Sequence, residues 1–135
     1  MERARPRILS AGGDLLLFET RNRVLEAAGF DVIGCLRGLG AREWYAAEQF
    51  DAVVLGCFED PGVRRSLIDD FKRRNSRVPI LVVYRFDDPS ETYAGADRLM
   101  ESLAGPETLI STVVQMTRFP QGKPEPNDMP AANAG

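Results

Sequence analysis

The chain has 135 residues, enough for one domain with a single core, and at 44% apolar and 27% charged residues its composition is that of an ordinary globular protein. A net charge of −3 supplies no basic field to argue for nucleic acid, and no apolar run approaches the roughly 18 residues of a membrane span. Histidine is absent, which removes the commonest general base, the commonest metal ligand and any phosphohistidine chemistry.

In chain order, "RILSA" (7–11) reads as a strand and "LLLFETRNRVLEAAGF" (15–30) as a helix. Asp14 is placed to cap that helix, and Gly29 stands where a helix end wants a left-handed residue. "DVIGC" (31–35) is a second strand, "GAREWYAAEQF" (40–50) a short helix and "DAVVLG" (51–56) a third strand. Pro61 opens a helix over 61–75, since a first turn tolerates proline. "VPILVVY" (78–84) is almost wholly apolar, as a strand covered on both faces should be. A fifth strand at 97–102 and a helix at 105–117 close the pattern. Strands alternating with helices predict βαβ crossovers and a doubly wound parallel sheet over residues 6–117. Residues 118–135, rich in Pro, Gly, Asn and Ala, bury too little to offset their ordering entropy and read as a disordered tail.

Cys35 and Cys57 form no C-x-x-C motif and read as reduced, buried thiols; a redox pair is the competing view. With no signal-like opening segment, a cytoplasmic location is expected. Trp44 and Tyr45 read as core and rim, with a partner-binding aromatic anchor as the alternative. Arg64, Arg65, Lys72, Arg73, Arg74 and Arg77 read as a solvated basic face, with an acidic partner or a weak nucleic-acid contact left open.

Several stretches in this order resemble the receiver domain of bacterial response regulators. They are "RVLEAAGFDVIGC" (23–35), "FDAVVLG" (50–56), "RRNSRVPILVVY" (73–84) and "AGADRLMESLAGPETLISTV" (94–113). The resemblance implies a flavodoxin-like fold with strand order 2-1-3-4-5 and a site at the strands' carboxyl ends. A working receiver has an acidic pair after strand one, an acceptor aspartate after strand three, a small hydroxyl residue after strand four and a lysine after strand five. Mg²⁺ needs hard oxygen ligands, and the acceptor must be a carboxylate. Carried onto this sequence, Gly12 and Gly13 stand at the acidic pair and Gly56 at the acceptor. Tyr84 replaces the hydroxyl residue, Ser102 the lysine and Leu103 the proline that usually follows. Asp14 is the one carboxylate left nearby, and helix capping already accounts for it.

The resemblance therefore implies a degenerate, or pseudo-receiver, protein with no cofactor, no metal and no enzymatic activity. The expected function is that of a stand-alone signalling protein acting by contact with a protein partner. Between Tyr84 and Ala94 only "RFDDPSETY" intervenes, so the helix that the family places there is expected to be absent or cut to a single turn. Its loss puts the family's usual dimer in doubt. Competing readings are a small-ligand or anion sensor in a vacant pocket at the strand ends, with "SAGGD" (10–14) as a cradle, and phosphate acceptance at Asp14 or Ser102. Tyr84 is a candidate plug for that pocket.

Overall fold

The computed structural model describes residues 5–121, with side chains as far as residue 117. Its elements alternate as the sequence predicts. Strands β1 (Arg7–Gly12), β2 (Asp31–Leu36), β3 (Ala52–Leu55), β4 (Ile80–Tyr84) and β5 (Arg98–Glu101) are joined by α1 (Leu15–Ala27), α2 (Ala41–Ala47) and α3 (Pro61–Arg74), and α4 (Pro106–Gln121) follows β5. The last helix runs four residues past the expected 117, and the expectation of a disordered tail falls, from residue 122 onward, outside the described residues.

All strand pairings are parallel, in the order β2-β1-β3-β4-β5. Alternation along β3 and β4 divides the core. Val53, Leu55, Ile80 and Val82 pack with Tyr45, Leu67, Ile68 and Phe71 from α2 and α3. Ala52, Val54, Leu81 and Val83 pack with Leu25 of α1 and with Leu109, Val113 and Met116 of α4. Both faces of the central strands are therefore dry, which is why β3 and β4 read as unbroken apolar runs. Each larger apolar side chain buried in this way contributes roughly 1.5–3 kcal/mol.

Capping fixes where the helices begin. The Asp14 carboxylate accepts from the Leu17 amide at 3.1 Å, and the Asp60 carboxylate accepts from the Gly62 amide at 2.9 Å ahead of Pro61. After α1 the chain turns through Gly29, whose φ of 103° favours glycine. Between β4 and β5 stands one 3-10 turn, Ser90–Tyr93, the reduced element expected from the shortened connection. Pro89 precedes it, and the Thr92 hydroxyl donates to the Pro89 carbonyl at 2.7 Å.

Candidate functional site at the strand exits

The exits of β1 and β3 meet through their backbones. The Gly56 amide donates to the Ala11 carbonyl at 2.9 Å, and the Gly13 amide donates to the Cys57 carbonyl at 2.7 Å. A Cβ added at Gly12 would lie 3.8 Å from the Cα of Gly56. Gly12 and Gly56 thus face one hollow, with Asp14 at the start of α1 nearby; the Cβ side of Gly13 instead meets the backbone of Cys57, Phe58 and Glu59. Ser102 and Tyr84 form a neighbouring pair across β5 and β4, where the Ser102 amide donates to the Tyr84 carbonyl at 2.8 Å.

The hollow is filled by Arg21. Its Nη2 lies 2.9 Å from the position of a Gly12 Cβ and 2.7 Å from that of a Gly56 Cβ, with Nη1 at 3.1 Å from the latter. A guanidinium can lie this close only because both positions lack side chains. Arg21 reaches them from the inward stripe of α1, between buried Phe18 and Leu25. Its Nε is buried without a hydrogen-bond partner. Burial pulls the Arg21 pKa below the ordinary arginine value, opposed by the nearby Cys57 and Asp14. The expectation that Tyr84 plugs the pocket is corrected here. The Tyr84 ring packs against Tyr93, with centroids 5.3 Å apart, and joins the core on the α2 and α3 side. The side chain following Val83 on a strand must point to the opposite face, and the arginine is long enough to take the space instead.

A second arginine ties the site to the β4–β5 connection. Arg64 was expected on a solvated face, yet it is 3% exposed. Its Nη1 donates to the Gly56 carbonyl at 2.9 Å and its Nε to the Thr92 carbonyl at 3.2 Å. Its Nη2 donates to Thr92 Oγ1 at 2.9 Å and to Asp88 Oδ2 at 3.2 Å. The same Asp88 oxygen accepts from the Arg85 amide at 3.0 Å and from the Cys57 thiol at 3.3 Å. One guanidinium therefore fastens the exit of β3 to the 3-10 turn. The guanidinium also lies over the Tyr93 ring, with Cζ 5.7 Å from its centroid.

Burial pushes the Asp88 pKa up, but the Arg85 amide, the Cys57 thiol and Arg64 outweigh it and hold the carboxyl below its usual value. A depressed carboxyl contributes stability that is complete above its unfolded pKa, near 3.9, and is lost as pH falls through the lower folded value. Asp88→Asn will flatten that acid limb in denaturation curves collected from neutral pH downward, and an unchanged limb would show that Asp88 does not set it. Burial, with Asp88 next, pushes the Cys57 thiol up. Cys35 is buried and Cys57 half-buried, and both are free thiols.

These donors do not suit Mg²⁺. A hard dication wants several oxygen ligands, and among the described residues no group of three acidic, cysteine or histidine side chains could hold a metal. Asp14 is engaged in its cap, Asp88 in its pair with Arg64, and a guanidinium lies against Gly12 and Gly56. Sequence reading missed Arg21 and Arg64. The available signal was a cation at inward helical spacing in each case: Arg21 three residues after Phe18, and Arg64 three before Leu67.

No family model matches the sequence, and no curated protein matches it. Solved structures do. A two-component response regulator from Clostridium difficile superposes with a TM-score of 0.76 at 16% identity, covering 87% of this chain and 100% of its own. A sensor protein from Polaromonas gives 0.68 at 25% identity over 84% of this chain and 96% of its own. A Thermotoga maritima response regulator, solved in complex with Mg²⁺–BeF, gives 0.72 at 18% identity over 82% of this chain and 98% of its own.

Proposed function

We propose, from the premise that this chain has the fold of response-regulator receiver domains, that it is a pseudo-receiver of a bacterial signalling system. It takes no phosphoryl group at the usual position and acts by contact with a protein partner. The observation that carries this reading is Arg21, whose guanidinium lies where an acceptor side chain on Gly56 would begin. Glycine offers no nucleophile, and a cation in the hollow repels the dication that phosphoryl transfer would require. The Arg64 network supports a single resting conformation, because it fastens the β4–β5 connection without any phosphoryl group. Contact with a protein is supported by leucines left in water beside the site: Leu16 is 72% exposed at the start of α1 and Leu103 is 88% exposed after β5. The shortened β4–β5 connection argues against the family's usual dimer.

Incubation with acetyl phosphate and Mg²⁺ tests this reading. Intact mass will show no phosphoryl adduct, and a stoichiometric adduct, on Asp14, Ser102 or elsewhere, would overturn it.

A second reading, a small-anion sensor, gains one observation: Arg21 makes no hydrogen bond or ion pair to any described residue, and its Nε is closed to solvent. Against it, the hollow already contains the guanidinium. A saturable thermal shift with inorganic phosphate that vanishes in Arg21→Met would favour the sensor.

A further inference from the structure

Away from the strand exits, α2 and α3 frame a groove of about 380 Å³ lined by Arg42, Asp70, Phe71, Arg73 and Arg74. Asp70 pairs with Arg42 through one carboxylate oxygen and with Arg73 through the other. Arg42 is held a second time, since its Nη2 donates to Ser66 Oγ at 2.8 Å. One carboxylate thus brings guanidiniums from two helices onto the same groove, and Arg74 adds a third. Three cations against one anion leave an excess of two positive charges in a chain whose net charge is −3.

An ordinary solvated helix face looks different, and α3 carries one for comparison: Arg65 pairs with Asp69 one turn along at 3.4 Å, cation with anion and nothing left over. In the groove the charges do not cancel. Converging guanidinium forks match tetrahedral and planar oxyanions, and the groove volume falls within the roughly 300–1,000 Å³ typical of small-ligand sites. Asp70 restrains two of the forks before any ligand arrives, which lowers the ordering cost of binding.

We propose that this groove binds a phosphorylated small molecule with at least two negative charges, held by Arg42, Arg73 and Arg74 and buttressed by Asp70. The site is independent of the strand-exit hollow, and so is its test. Calorimetric titration with inorganic pyrophosphate and with adenosine diphosphate, in roughly 150 mM salt to screen loose surface attraction, will show saturable binding at one site. Arg73→Gln and Arg74→Gln, exposed changes whose folding circular dichroism will check, should each weaken binding by about tenfold, the loss expected of one charge-assisted contact of about 1.4 kcal/mol. Arg21→Met should leave it unchanged. Absence of saturation with both probes would overturn the proposal, as would full affinity in both α3 variants. Loss of binding in Arg21→Met alone would move the ligand to the strand exits and equally overturn it. So would a glutamate-rich peptide that binds as tightly as pyrophosphate.

Discussion

Replacing Arg64 with methionine will lower the unfolding free energy by about 3–5 kcal/mol, the usual cost of removing one partner from a buried ion pair. The side chain is 3% exposed and serves four acceptors: the Gly56 carbonyl, the Thr92 carbonyl, the Thr92 hydroxyl and Asp88. Methionine matches the stem and supplies no donor. It leaves a carboxylate 12% exposed with the Arg85 amide, the Cys57 thiol and a long 3.9 Å pair to the half-exposed Arg85 guanidinium as its remaining partners. Urea denaturation of the variant measures the loss, and native-state hydrogen exchange should show the Ser90–Tyr93 turn opening before the sheet does. A loss below about 1 kcal/mol, the range of an exposed pair, would mean that the network does not hold the turn.

The same substitution at Arg21 will act in the opposite direction, raising stability by about 1–2 kcal/mol. Both side chains are arginines that reach the Gly56 region. The difference is partnership. Arg64 satisfies its donors with protein acceptors, whereas Arg21 buries Nε with none, and burial alone already disfavours its charged form. Methionine can fill the glycine-walled space without that desolvation cost. What is lost is the attraction to Asp14, which does not hydrogen-bond to the guanidinium; the Cys57 thiol, its pKa pushed up, is uncharged at neutral pH. A gain in the urea midpoint of Arg21→Met with an unchanged slope confirms the account; a fall would show that the cation is a structural support. Retention of a destabilising residue is what a functional position looks like, as proteins commonly accept strain or unpaired polarity where they act.

The scaffold was legible because its signals are local. The apolar run Ile80–Tyr84, the period-2 division of β3, the Asp14 cap and Gly29 each act through near neighbours or through simple burial. The hollow was half-legible. The receiver resemblance set Gly12, Gly13 and Gly56 at the strand exits, and parallel pairing of β1 and β3 brings Gly12 and Gly56 to one edge. What fills the hollow depends on a side chain reaching across from another element, and no pattern in "SAGGD" or "VLGCFED" encodes that reach. Tyr84 looked like the plug because it occupies the neighbouring exit, but strand alternation sends it toward Tyr93. Arg64 looked solvated because its neighbours Arg65, Arg73 and Arg74 are; only the fold of the β4–β5 connection over α3 encloses it. Long-range enclosure of a cation is a tertiary fact, and composition carries no trace of it.

The occupancy of the hollow by Arg21 is most directly tested in the variant Gly56→Asp, which returns a carboxylate to the strand-three exit. Its Cβ would meet Arg21 Nη2 at 2.7 Å, so the flexible guanidinium must shift slightly and then pair with the new acid. Amide spectra of this variant titrated with Mg²⁺ and beryllofluoride should stay unchanged at Gly12, Gly13 and Ser102, because the cation already neutralises the carboxylate and no oxygen cage exists for the metal. Saturable shifts clustered at those residues would contradict the account, since they would mean that Arg21 yields the hollow to a metal and a phosphoryl mimic.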